Sequence, residues 1–111
     1  MKEKQTKVTR SSGNVFADIG LPKPEEHLLK AEVAVVISQL INRLGLTQTA
    51  AAVRLNGLGV AQSDVSRILR GQLRGFSLEK LLEIVRTLGN DIEIKVKPVK
   101  EHQAGRYRMM A

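Results

Sequence analysis

The sequence predicts an all-α domain of four main helices followed by a single C-terminal β-strand. Apolar residues recur at steps of three and four through most of the chain, and capping residues or glycines bound each of these stretches. Only the last apolar stretch alternates with a period of two, which is typical of a strand. A chain of 111 residues suffices for one domain with a modest core. Aromatic residues make up only 3% of it, so we expect a core of leucine, isoleucine, valine and alanine.

The first and longest helix is predicted over residues 24–44. Pro24 suits a first helical turn, and Glu25 and Glu26 carry the charge that stabilises a helix N-terminus. Gly45 is expected to end the helix. The apolar residues of this helix fall on one broad stripe that is predicted to face the core: Leu29, Val33, Val36, Ile37, Leu40, Ile41 and Leu44.

Three shorter helices are predicted after the first. Thr47 is expected to cap a helix over residues 47–55, and another short helix spans residues 62–70 after a glycine-containing turn. Ser77 is expected to cap the last helix, which ends at Gly89. The buried stripe of this last helix is predicted to contain Leu78, Leu81, Leu82, Val85 and Leu88.

Residues 91–97 are predicted to form the strand, because Ile92, Ile94 and Val96 alternate with charged residues. The chain offers no second good strand, and an unpaired strand edge is costly. The same strand of a second copy, running antiparallel, is the simplest partner, so the sequence predicts a two-fold homodimer. Ile84, which lies off the main stripe of the last helix, is expected to extend the dimer contact.

Composition divides the chain into three parts. Residues 1–13 are polar and basic, which predicts a flexible arm; residues 14–98 form the domain and its dimerisation strand; residues 99–111 are expected to be a flexible tail. No apolar run approaches the length that spans a bilayer, and the start lacks the hydrophobic stretch of a secretory signal. The absence of cysteine excludes disulfides and thiolate metal sites and fits a cytoplasmic location.

Basic residues outnumber acidic ones and give the chain a net charge of +7. Four arginines cluster in the sequence around one acidic residue, Asp64: Arg54, Arg67, Arg70 and Arg74. Clustered arginine is what a phosphate-contacting surface requires, so a nucleic acid is the expected partner. Nonspecific RNA binding is disfavoured because few aromatic side chains are present for base stacking. Two alternatives to nucleic-acid binding remain. The basic tails can serve only to maintain solubility, and the arginines can lie on an ordinary solvated helix face.

Enzymatic and metal-dependent functions find no support in the sequence. The two histidines, His27 and His102, lie far apart, and neither has a plausible metal-binding partner. No serine lies in a nucleophile-elbow context, and Gly57-Leu58-Gly59 lacks the preceding strand and the length of a phosphate-binding loop. We therefore predict no catalytic residue, no metal and no cofactor.

The segment TQTAAAVRL-NGLGV-AQSDVSRILRG reads as two short helices joined by a turn, which is a helix-turn-helix motif. Gly59 permits the bend, and Ala52 is small enough for the helices to cross closely. The inner face is predicted to be buried, whereas the outer face of the second helix is polar and free to reach base edges.

This motif resembles the XRE family, the helix-turn-helix regulators related to phage lambda repressor and Cro, over about residues 46–88. The resemblance is carried by Leu46-Thr47-Gln48, Ala52, Gly59-Val60-Ala61-Gln62-Ser63, Val65-Ser66, Ile68-Leu69-Arg70-Gly71 and Phe76-Ser77-Leu78. The flanks SSGNVFADIGLPKPEEHLLKAE and LGNDIEIKVKP are similar to the HigA-type antitoxins, which repress their own operons and neutralise a small ribonuclease toxin. One departure is the insertion Asn56-Gly57-Leu58, which we expect to lengthen the turn without extending either helix.

The resemblance implies a lambda repressor-like bundle that acts as a sequence-specific repressor on double-stranded DNA with an inverted-repeat operator. The residues implied to face base edges are Gln62, Ser63, Ser66 and Arg67. The residues implied to contact phosphates are Thr47, Gln48, Arg70 and Arg74. Asp64 would repel a phosphate, so it is expected to cap its helix or to turn sideways, and the two serines can also serve only as caps.

The wider resemblance implies the autoregulating antitoxin of a toxin–antitoxin pair, with a small toxin protein as partner. One alternative is a stand-alone XRE-type regulator. Another is a protein-interaction module whose main role is toxin binding and whose basic face is incidental. A small basic open reading frame adjoining the gene would favour the antitoxin interpretation.

Overall fold

The computed structural model describes residues 23–100 and 104–111. Within them the helices are α1 (Lys23–Arg43), α2 (Gln48–Arg54), α3 (Gln62–Leu69) and α4 (Leu78–Thr87), with a 3₁₀ turn at Asn56–Leu58. The all-helical class with four main helices is confirmed. The predictions for residues 1–22 lie outside the described residues. None of the described helices combines the length and hydropathy needed to cross a membrane.

Local capping sets the starts of two helices. The Thr47 hydroxyl accepts a hydrogen bond from the Ala50 amide at 3.0 Å, and the Ser77 hydroxyl accepts one from the Lys80 amide at 3.0 Å. Each bond satisfies an amide that a helix N-terminus otherwise leaves without a partner. Both predicted N-caps are confirmed, and the helix bounds lie close to those expected from the sequence.

The core lies where α1 packs against α3 and α4, and where α2 packs against α3. Residues of the predicted stripes that are buried there are Leu29, Val33, Val36, Ile37, Leu40, Ile41, Val65, Ile68, Leu78, Leu81, Val85 and Leu88. Two residues of the predicted stripes differ, since Leu44 is exposed and Leu82 is half-buried against the core. In α2, Ala51 is fully buried, whereas Ala52, which was predicted to allow the close crossing, is half-buried against the core.

The inserted residues form the 3₁₀ turn and extend neither neighbouring helix, as predicted. The Lys80 ammonium on α4 donates a hydrogen bond to the Leu58 carbonyl oxygen at 2.5 Å. Gly59 follows with φ +72°, a left-handed conformation that residues with a Cβ adopt only at a cost. The turn between α2 and α3 is therefore anchored to α4.

No strand forms after α4 within the described residues, which corrects the sequence prediction. Residues 91–99 have no regular structure, and no segment within residues 23–100 or 104–111 pairs with their backbone as a strand would. Ile92 is half-buried and packs against the core, whereas Ile94 and Val96 are exposed. The apolar alternation is thus present without the strand that it was predicted to form.

Ile84 does not lie at a surface that a second chain could reach. Its side chain is 0% exposed and belongs to the core, so the prediction that it extends a dimer contact is corrected. The buried arc of α4 is wider than the predicted stripe because it includes Ile84 beside Val85. Just beyond α4, the Asn90 side-chain amide donates a hydrogen bond to the Val85 carbonyl oxygen at 2.9 Å, which fixes where the chain leaves the helix.

The end of the chain packs against α1. The Met109 amide donates a hydrogen bond to a Glu32 carboxylate oxygen at 2.7 Å, and the Tyr107 and Met109 side chains are half-buried against the core. Of the segment predicted to be a flexible tail, residues 101–103 lie outside the described residues. Residues 104–111 have these contacts with the folded domain.

Deletion of residues 104–111 is expected to lower the free energy of unfolding by about 1–3 kcal/mol, because it uncovers apolar core surface and removes the partner of Glu32. Urea unfolding followed by circular dichroism measures the loss. Removal of the last two residues alone is the control and should change little, since Met110 is 76% exposed. A freely flexible tail would give both truncations the stability of the full chain.

Candidate nucleic-acid interface

Helix α3 presents one face to the core and another to solvent. Val65 and Ile68 are buried. Gln62 and Ser63 in the first turn are exposed, and Ser66 one turn later is half-buried. The exposed face is therefore polar and lies at the N-terminal end of α3, the end that recognition helices present to base edges.

The start of α3 is capped by Asp64. Its carboxylate Oδ2 accepts a hydrogen bond from the Ala61 amide at 3.0 Å, a contact typical of an acidic residue in the first turn of a helix. The predicted capping role of Asp64 is confirmed. Its negative charge is thereby engaged at the backbone of the helix N-terminus.

The start of α2 places two hydrogen-bond donors at the surface. The Thr47 oxygen accepts the capping bond from Ala50, which leaves the hydroxyl proton as a donor. Gln48, the first residue of α2, is exposed. Hydroxyl and amide donors of this kind are common partners of DNA phosphates.

A second group of donors follows α3. Arg70 caps the C-terminal end of α3, Arg74 lies in the loop before α4, and both are exposed. The Arg70 guanidinium lies 3.5 Å from the amide oxygen of Gln72, at the limit of a hydrogen bond. Gln72 is exposed as well and was not singled out from the sequence, although it lies in the polar loop that carries Arg74.

Arg67 differs from the other predicted contacts because its guanidinium has three partners within the chain. One terminal nitrogen donates a hydrogen bond to the carbonyl oxygen of Arg74, and the other lies 3.9 Å from an Asp64 carboxylate oxygen. The guanidinium carbon lies 4.8 Å from the centre of the Phe76 ring, which is buried in the core. The Arg67 side chain is 36% exposed, so it lies against the domain instead of extending into solvent.

The structure places the residues predicted to contact DNA on the start of α2, on α3 and in the loop that follows it. Those at the exposed surface are Thr47, Gln48, Gln62, Ser63, Arg70 and Arg74, and those in half-buried positions are Ser66 and Arg67. Phe76 and Lys80 have supporting roles that the helix-turn-helix motif does not predict. Phe76 is distinguishable in the sequence as one of few aromatic residues, but no sequence feature points to the contact of Lys80 with the inserted turn.

The chain matches the model of a helix-turn-helix domain family over residues 15–97. A solved structure named as an XRE-family transcriptional regulator is similar to it, with a TM-score of 0.72 and 34% sequence identity, covering 81% of this chain and 99% of that one. The chain belongs to the XRE family. A comparison with curated proteins gives no match.

Membership of the XRE family confirms the helix-turn-helix motif predicted from the sequence, which α2 and α3 form in this regulator. The matched region begins before α1 and ends after α4, so the motif and its supporting helices belong to one family domain. Within the part of this XRE regulator that the structure describes, no group of histidine and acidic side chains is placed to hold a metal ion; His102 lies outside that part.

Proposed function

We propose that this XRE-family regulator recognises a particular sequence of double-stranded DNA and represses transcription there. The observation that carries the proposal is the exposed polar face at the start of α3. Along the chain, the donors at the start of α2 precede this face, and the exposed Arg70 and Arg74 follow it. The major groove, about 12 Å wide, admits an α-helix and presents a distinct pattern of donors and acceptors for each base pair.

Gln62, Ser63 and Ser66 are proposed to contact base edges. A glutamine can form two hydrogen bonds with an adenine, whereas a serine hydroxyl can pair with several bases. We therefore expect Gln62 to carry most of the discrimination between sequences. Arg67 is set apart from these three residues by its partners within the chain.

The residues proposed to contact phosphates are Thr47, Gln48, Arg70 and Arg74. Such contacts fix the position and orientation of a protein on the duplex but carry no sequence information. The two arginines also displace counterions from the duplex, so the affinity should fall as the salt concentration rises.

Gln62→Ala is expected to weaken binding to the preferred operator by about 1–3 kcal/mol and to change binding to random duplexes little, because only a base contact depends on sequence. Footprinting on the promoter of the protein's own gene locates the operator, and fluorescence anisotropy with labelled duplexes measures both affinities. An equal loss on both duplexes would contradict base contact by Gln62.

Arg74→Ala is expected to weaken binding to operator and random duplexes about equally and to lower the slope of log affinity against log salt by about one. Arg86→Ala is the matched control, because Arg86 is exposed but pairs with Glu83 on α4 at 2.8 Å, and it should leave both affinities unchanged. An Arg74→Ala variant with an unaltered salt dependence would contradict the phosphate contact.

A two-fold homodimer is the assembly proposed for operator binding. The segment after α4 has no regular secondary structure and exposes Ile94 and Val96, which a strand would place on one face. Antiparallel pairing of this segment with its copy would satisfy its backbone groups and bring these apolar side chains together. Two copies of α3 related by symmetry would read an inverted repeat with half-sites about 34 Å apart.

The antitoxin role is a further proposal, supported by the similarity of the flanking sequences to HigA-type antitoxins. The test is to express the small protein encoded beside this gene with and without this chain. An antitoxin restores growth that the neighbouring protein arrests, and it copurifies with that protein. A stand-alone regulator does neither, whereas a module devoted to toxin binding restores growth but protects no operator in a footprint.

A further inference from the structure

Arg67 connects the start of α3 with the loop that follows the helix. Its guanidinium lies between Asp64 in the first turn of α3 and the carbonyl oxygen of Arg74 in the loop. Asp64 in turn accepts the hydrogen bond of the Ala61 amide. An unbroken series of polar contacts therefore runs from the N-cap of α3 to the backbone of the residue whose side chain is proposed to contact phosphate.

The environment of Arg67 is not that of a base-reading arginine. An arginine that reads guanine extends from its helix and directs two N–H groups of its planar fork at one base. In Arg67 both terminal nitrogens face groups of this chain, and the guanidinium carbon lies over the buried Phe76 ring. Extension towards a base would break a charge-assisted hydrogen bond, an ion pair and a cation–π contact together.

The loop before α4 is held by the Arg67 side chain together with two backbone hydrogen bonds, from the Gln72 amide to the Arg67 carbonyl oxygen at 2.9 Å and from the Phe76 amide to the Leu73 carbonyl oxygen at 3.0 Å. Gly71 and Gly75 have φ values of +75° and +89°, so the loop relies on two residues without a Cβ, which leave the backbone permissive. A Cβ built on Gly75 would lie 3.9 Å from a terminal nitrogen of Arg67, so the guanidinium packs directly beside the loop backbone.

We propose that Arg67 is a positioning residue, which holds the loop of residues 71–76 so that Arg74 meets a phosphate at a fixed distance from the base-contacting end of α3. The inference rests on the proposed DNA-binding function and assigns Arg67 a role different from that of Gln62. Phosphate contacts set the register of a protein on the duplex, so a loose loop weakens binding to every sequence alike.

Arg67→Ala is expected to weaken binding to operator and random duplexes by the same factor, about tenfold, since it releases the loop and with it a charged phosphate contact. The base preferences selected from a randomised duplex pool should not change. Phe76→Leu keeps a buried apolar side chain but removes the ring, so it should weaken both affinities by about two- to fivefold. Arg67→Lys keeps the charge without the fork and should recover only part of the loss.

A double-mutant cycle tests whether Arg67 acts through Arg74. If it does, the Arg67→Ala/Arg74→Ala variant binds within about twofold of Arg74→Ala and shows the same salt dependence, because the phosphate contact is already lost. If the losses of binding free energy from Arg67→Ala and Arg74→Ala were additive, the inference would be overturned. It would also be overturned if Arg67→Ala changed the base preference and Phe76→Leu did not. Circular dichroism confirms that each variant is folded, and Phe76→Leu and Arg67→Lys carry the test if Arg67→Ala does not fold. An unmodified protein that binds no duplex contradicts the proposed function instead.

Discussion

Ile84→Ala is expected to lower the free energy of unfolding by about 2–5 kcal/mol, because Ile84 is 0% exposed and the shorter side chain leaves a cavity in the core where α4 packs on α1. Domains of this size are stable by about 5–15 kcal/mol, so the loss is a large share of the total. Urea unfolding measures it. Val35→Ala, at an exposed position on α1, is the control and should change stability by less than about 0.5 kcal/mol.

Protein concentration distinguishes the two roles considered for Ile84. Loss of a core contact lowers stability by the same amount at every protein concentration. Loss of a dimer contact would instead weaken only the association of two chains, so the free energy of unfolding would depend less on protein concentration. An Ile84→Ala variant as stable as the unmodified protein would contradict the buried position.

Ile94→Lys is expected to weaken operator binding by about 100-fold or more while the helical circular dichroism is kept. The substitution places a charge in the exposed apolar segment proposed to join two chains, and a monomer contacts one half-site without the gain from a tethered second one. Analytical ultracentrifugation measures the mass of the variant, and anisotropy measures its affinity.

The matched control for Ile94→Lys is Val35→Lys, which introduces the same charge at another exposed aliphatic position. Val35 lies on α1, outside the segment after α4, so this variant should remain dimeric and bind as tightly as the unmodified protein. Ile94→Lys molecules that are still dimeric and still bind tightly would rule out this mode of assembly.

The helices were predictable from the sequence because their determinants are local. Thr47 and Ser77 cap helices through bonds to residues three positions later, and the glycines after α1, α3 and α4 end them without any contribution from distant residues. The 3.6-residue period also identified most of the buried face of each helix.

The outcome at Ile84 and in residues 91–99 depends on tertiary structure. Period alone placed Ile84 off the stripe, whereas the packing of α4 in the bundle buries a wider arc that includes it. Alternation of apolar residues predicted a strand, but strand geometry also needs a partner backbone, which the described part of the chain does not provide. Neither requirement can be deduced from a short stretch of sequence.

In the candidate site too, some features follow from local sequence and others depend on tertiary structure. The residue types on the outer face of α3 follow from the sequence, since they are the positions left over when Val65 and Ile68 face the core. The orientation of Arg67 does not follow, because it is set by the Phe76 ring and by a carbonyl oxygen of the next loop. A helical wheel shows which positions face outward, but not which outward side chains are engaged by the protein itself.

The anchored 3₁₀ turn has a consequence for the exchange of DNA-binding specificity between relatives. Because Lys80 holds the Leu58 carbonyl, the tilt of α3 is coupled to the position of α4 as well as to that of α2. If α3 reads bases as proposed, an α3 helix transplanted from a relative without the three inserted residues would enter the groove at the angle of its new host, and its side chains would meet different bases. On the proposed function, specificity is therefore expected to transfer with the whole segment of residues 47–87, and not with α3 alone.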